Sequence, residues 1–256
     1  MSKKHLQPLL TVFIAISLII TSCSKDHDDH VTPTPVVDLY QRYLAAIDDA
    51  MVSDSSEIID TLQPIISSNQ LLKWKIINGQ TYVLMATFMK YPSSYPEGDS
   101  ITNTWGESWL FIPEQMKRRI MSDLHSDTDT INRISEMLGL PPHYSKSNTH
   151  IAEMWVKAVR LYRPAGNPDI TTTTTGAPLI VNAPQDYSSW FNNYIIYAYY
   201  RYLSTSFDYH YPWTRLGYTY DWAPGKKKVG LSEYVLMPSS GCWVEKVRTA
   251  DDYFKQ

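Results

Sequence analysis

Apolar positions along the chain change period several times, and each change predicts an element. Leu39, Tyr40, Tyr43, Leu44 and Ile47 recur at helical spacing and predict an amphipathic helix over 37–51. Ile58, Ile59, Leu62 and Ile66 suggest a second helix, entered through Ser55 or Ser56 and bent or ended near Pro64. Leu71–Ile77 and Thr81–Phe88 are rich in β-branched and aromatic residues and flank Asn78-Gly79, the pair that a type I′ hairpin turn favours. After a loop over 91–99, a strand is expected at 105–112, and Pro113-Glu114 opens a helix that runs to about Leu124. Asp127 and Asp129 are caps for a helix through Ile131, Ile134, Met137 and Leu138, which Gly139 ends. Ile151–Val156 reads as a strand.

The stretch 163–175, with its prolines and five threonines, carries no core signal and is expected to be surface loop. Gln185–Leu203 reads as a central helix carrying Trp190, Phe191, Tyr194, Tyr197, Tyr199, Tyr200 and Tyr202. Strands near 229–237 and 242–248 and a short final helix close the chain. Hairpins and separate helices without regular βαβ alternation predict a single α+β domain over 37–256, with antiparallel hairpins and several packed helices.

The N-terminal pattern differs. Lys3 and Lys4 precede Leu9–Ile20, an almost wholly apolar run that suits a signal peptide better than a membrane-spanning helix. Ile20-Thr21-Ser22-Cys23 then matches a lipobox. The expectation is cleavage after residue 22 and lipidation of Cys23, whose several acyl chains would hold the protein in a membrane. Residues 23–36 form an acidic, Pro-containing tether. Its Lys25-Asp26-His27-Asp28-Asp29 resembles the run after the lipidated Cys in surface lipoproteins of the Bacteroidota. That resemblance implies an outer-membrane, cell-surface location.

Composition adds three constraints. The formal net charge is −3, and losing Lys3 and Lys4 makes it more negative. With no basic patch, nucleic acid is not an expected partner. Besides Cys23, Cys242 is the only cysteine, so no intramolecular disulfide is expected once Cys23 carries lipid. The 19 Tyr and 8 Trp against 6 Phe favour side chains with an apolar body and a polar handle, which suit binding surfaces as well as cores.

The densest candidate chemistry lies in 209–222. Tyr218, Tyr220 and Trp222 alternate with Thr219 and Asp221, as on a strand with two different faces. Trp213, Arg215, Tyr218, Tyr220, Asp221 and Trp222 are the candidate binding residues: aromatic rings would stack on a sugar or another flat group, and Arg215 and Asp221 would take its polar edge. The alternative is that the rings are core and Arg215–Asp221 is a structural ion pair.

Glu136-Met137-Leu138-Gly139-Leu140-Pro141-Pro142, Glu153-Met154-Trp155-Val156, Leu161-Tyr162-Arg163-Pro164, residues 211–222 and Gly230-Leu231-Ser232-Glu233-Tyr234 occur in this order. Over roughly 71–250 the chain resembles an uncharacterised family of exported bacterial proteins, many of them lipoproteins. The resemblance implies a single exported domain and transfers no catalytic residue. It also leads us to expect Cys where this chain has Ala165.

Enzyme readings are less favoured. Asp208, Asp221 and Glu233 could supply an acidic pair, with His210 a further acid–base candidate for a hydrolase. Cys242 with His210 and Asp221 has the residue types of a Cys-His-Asp arrangement, but its setting favours a buried free thiol. His143, His150 and Glu153 match no standard zinc spacing. No nucleotide or dinucleotide fingerprint is present, and no cofactor is expected. The leading expectation is a lipid-anchored, non-catalytic module for glycan or peptide. A hydrolase and an envelope structural or interaction protein are the alternatives.

Overall fold

The computed structural model describes residues 38–142, 148–200 and 210–255. The leader, Cys23 and the tether lie outside the described residues, as do His143, Asp208 and the last turn of the expected aromatic helix. Among the described residues no helix is long and apolar enough to cross a membrane.

Helix α1, Leu39–Met51, forms where its spacing predicts. Asp38 caps it by accepting from the Tyr40 N–H at 3.3 Å. Its inner face, Tyr43, Ala46, Ile47 and Ala50, packs with Tyr220 and Trp222.

The second expected helix does not form. Only a 3₁₀ turn, Ser55–Glu57, is present. The reason is tertiary: the Leu62 and Ile65 N–H groups bond the carbonyls of Thr173 and Ile170 at 3.0 and 2.8 Å, so the loop expected at the surface takes donors a helix would use internally. That loop is itself a correction to the sequence reading. Arg163 is fully buried, and its guanidinium donates to the carbonyls of Gln63, Asp169, Ile170 and Thr172 at 3.0–3.3 Å. One long polar side chain thus satisfies several inward-turned carbonyls where no apolar pattern signals a core.

Among the described residues nine strands make one antiparallel arrangement: β1 (Trp74–Ile77), β2 (Gln80–Met89), β3 (Ser100–Thr102), β4 (Ser108–Phe111), β5 (His150–Val156), β6 (Leu161–Tyr162), β7 (Tyr218–Tyr220), β8 (Val229–Leu236) and β9 (Gly241–Thr249). The order is β3-β9-β5-β2-β4-β8-β6, with β1 on β2 and β7 on β8. The expected hairpin is in place: Ile77 pairs Gln80, and Asn78 and Gly79 have φ of 50° and 73°, both positive as a type I′ turn needs.

The central strands are buried on both faces. Met85, Leu110, Met154 and Tyr234 belong to one core. Ala86, Phe88, Phe111 and Leu231 belong to another, which also takes Met116 of α2 (Pro113–Ile120), Ile134 of α3 (Thr130–Met137) and Tyr253 of α5 (Ala250–Tyr253). Asp129 caps α3 by accepting from the Asn132 N–H at 2.9 Å, and Gly139 follows with φ 65°. The aromatic helix α4 spans Gln185–Ile195 and passes into a π-helical turn, Ile196–Tyr200. The result is a single α+β domain.

Candidate functional site

A cavity of about 710 Å³ opens where α4 and its π turn meet β4, β8 and the segment 211–213. Its walls include Trp105, Trp109, Trp190, Tyr194, Tyr197, Tyr211, Trp213 and Tyr220, with Glu107 and Glu233. That volume suits a small organic ligand.

The sheet register puts Glu233 there. Ala86 on β2 faces Phe111 on β4, and Phe111 faces Glu233 on β8, so the three side chains form one row across the central strands. Glu233 is only 6% exposed, and its Oε1 has no hydrogen-bond partner among the described residues. Burial pushes its carboxyl up to about 8, against a lowering influence from Arg163. Near neutral pH it is therefore largely a neutral acid.

The rings around it are held at several angles. Trp213 stands nearly perpendicular to Tyr194 and Trp109, with centroids 5.0 and 6.4 Å away. Trp190 stacks on Tyr194 at 5.3 Å, and Tyr197 on Tyr211 at 6.2 Å. The π turn carries Ile196 and Tyr197 to the wall, and such turns inside helices are frequent at functional sites. Burial raises the Tyr194 hydroxyl well above its ordinary value, so it stays protonated. No Lys, Arg or His is among the described residues lining the cavity.

The six sequence candidates do not form one face. Trp213 and Tyr220 line the cavity, with Trp213 Nε1 donating to the Pro164 carbonyl at 2.9 Å and the Tyr220 hydroxyl donating to Asp49 at 2.9 Å. Tyr218 is buried and donates to the Glu57 carbonyl at 3.0 Å. Trp222 packs edge-on against Tyr43 and donates to the Leu140 carbonyl at 3.0 Å. Arg215 donates to the Met51 carbonyl and Ser53 hydroxyl at 2.8 and 3.0 Å, while Asp221 binds Arg133. No Arg215–Asp221 pair forms. The expected strip fails because β7 is covered on both faces: Tyr218, Thr219 and Tyr220 are all buried, and the Thr219 hydroxyl donates to the Met137 carbonyl at 2.6 Å.

Among the described acid–base candidates, only Glu233 lines the cavity. His210 gives its carbonyl to the Tyr43 hydroxyl at 2.6 Å, and Asp221 is engaged by Arg133. Cys242 is buried, and burial pushes its thiol up to about 11. His150 Nδ1 lies 2.8 Å from the Thr149 hydroxyl, and Glu153 accepts from Arg248 at 3.4 Å. Among the described residues no three His, Cys, Asp or Glu side chains gather as a metal site requires.

Sequence reasoning did not assemble Trp109, Trp190, Tyr194, Tyr197 and Glu107 into a site, because long-range pairing brings them together. Glu233 did leave a trace: it is a lone acid inside Leu231–Leu236, a strand otherwise rich in core residues. Compared with known proteins, the chain matches no protein-family model, no curated protein and no solved structure.

Proposed function

We propose that this is a lipid-anchored envelope protein whose α+β domain binds a ligand in the aromatic cavity. The leader pattern ending at Cys23 supports the anchor, and the acidic run after it supports an outer-membrane, surface-facing location. The resemblance to exported bacterial proteins, many of them lipoproteins, implies export and is consistent with the anchor. The binding reading rests on one observation: a cavity of about 710 Å³ joins rings set at several angles to a buried, under-partnered Glu233. A glycan or peptide group entering it would gain ring contacts on more than one side. The binding surface is therefore moved from the 213–222 strip to the cavity, with Trp213 and Tyr220 retained.

A thermal-shift screen of the full chain in detergent against glycans and peptides tests this reading. The expected result is stabilisation by a ligand that is lost when Ile196→Trp, at the half-exposed rim, narrows the cavity. Stabilisation that ignores Ile196→Trp would contradict it. Labelled palmitate should enter the wild type and not Cys23→Ala, which tests the anchor separately.

A second reading, a hydrolase using an acidic pair, is favoured by Glu233 and Glu107 lining one cavity while burial keeps Glu233 able to donate a proton. Turnover of a bound ligand, abolished in Glu233→Gln, would select it over the binding module.

A further inference from the structure

We propose that the cavity takes a compact organic cation, an ammonium or methylated ammonium group, held between the aromatic rings and beside Glu233 and Glu107. The inference rests on the cavity being a ligand site and names the class of ligand.

The charged residues lining the site carry it first. Two carboxyl side chains line the walls, and no cationic side chain does so among the described residues. An anion entering would meet two acids and, among the described lining residues, no cationic side chain. A cationic N–H reaching the Glu233 carboxyl would join charge to the hydrogen bond, whereas a neutral donor would bring the hydrogen bond alone. The positive charge that acts on Glu233 belongs to Arg163, whose Nε and Nη2 donate to four backbone carbonyls, whose Nη1 has no hydrogen-bond partner, and which is not among the described residues lining the cavity. An entering cation would add a counter-charge from the cavity side, and Glu233 would ionise as it binds.

The rings carry it independently. The face of an aromatic ring is the negative end of its quadrupole, and it attracts a cation held within about 6 Å of the centroid. Trp109 and Tyr194 stand at 87° and 90° to Trp213, while Tyr197 and Tyr211 form a second stack beside them. Rings set in several directions line the cavity, so a compact, roughly spherical cation can meet more than one of them.

Titration calorimetry on the full chain in detergent tests the proposal with choline and its neutral isostere 3,3-dimethylbutan-1-ol. N-acetyl-lysine methylamide and its trimethylated form serve as probes for a peptide side chain. Choline or a lysine probe should bind at least about tenfold more tightly than the neutral isostere, and Glu233→Gln should reduce that preference about tenfold while leaving the isostere unchanged. Preference for the lysine probes over choline would assign the cation to a peptide, and the reverse to a small free amine. Equal affinity for choline and its isostere would overturn the cation assignment and leave the cavity reading intact. A neutral ligand found by the thermal screen, with no cation bound, would do the same. Absence of any ligand in both experiments would overturn the two together. Glu233→Gln keeps the side-chain shape, and its circular dichroism and melting curve confirm that the fold is retained.

Discussion

Arg133 grips Asp221 through both terminal guanidinium nitrogens, Nη1 and Nη2, at 3.0 and 2.7 Å, with both side chains almost fully buried. The contact joins α3 to the segment just after β7, and Arg133 also donates to Asp123 at 3.0 Å. This pair removes Asp221 from any ligand and gives it a structural task. Asp221→Asn removes one buried acidic partner of Arg133 while Asp123 and Glu136 remain, so it should cost about 1–3 kcal/mol of stability. Urea unfolding measures it. A loss below about 1 kcal/mol would mean that the pair is solvated and weak.

Glu233 makes the stability of the domain depend on pH in a definite direction. Burial raises its carboxyl from 4.5 to about 8, so between those values the folded chain keeps a proton that the unfolded chain releases. Its contribution is full below about pH 4.5, falls as pH rises through the window, and is lost above about 8, with a slope of at most about 1.4 kcal/mol per unit. Glu233→Gln should therefore flatten the profile and be more stable than wild type at pH 8. Chemical denaturation of both proteins from pH 5 to 8 checks this, and superimposable profiles would refute it.

Gly217 holds the buried arginine in place by having no side chain. A Cβ there would lie 2.6 Å from Arg163 Cδ, and the backbone sits at φ 77°. Gly217→Ala combines a clash with a strained conformation, so a loss of at least about 1–3 kcal/mol is expected. Gly225, also at positive φ but with open space around it, is the control, and Gly225→Ala should cost less. Equal losses would show that Arg163 is not confined by this contact.

Cys242 should be chemically quiet in the folded protein. It is 1% exposed on β9, and its thiol is pushed up to about 11 by burial. In a Cys23→Ala chain, a thiol reagent such as a disulfide dye should react only after denaturant is added. Rapid reaction in buffer would show that β9 opens readily.

Local signals in the sequence predicted local structure well. The Asn78-Gly79 turn, the cap at Asp129, the stop at Gly139 and the apolar spacing of α1 each depend on neighbours a few residues away, and each is found. The failures were long-range. Residues 58–66 have helical spacing, yet the Leu62 and Ile65 N–H groups are taken by carbonyls more than a hundred positions later. Arg163 looked like loop because a buried arginine carries no apolar period. The 213–222 strip was half right as a site: its alternation is real, but β7 is covered on both sides, so only Trp213 and Tyr220 reach the cavity. Trp109, Trp190 and Glu233 are joined by sheet register and helix packing, which composition does not display.

The central claim is that ligand enters between Trp109, Trp190, Trp213 and Glu233. The chain has eight tryptophans, and only Trp105, Trp109, Trp190 and Trp213 line the cavity. Indole N–H resonances of a ¹⁵N-tryptophan-labelled chain, assigned by single substitutions, report on all eight at once. Adding a ligand that raises the melting temperature should move resonances of the cavity four and leave Trp74, Trp155 and Trp243 still. Shifts confined to those three, with the cavity four unmoved, would contradict the account and place the binding site elsewhere.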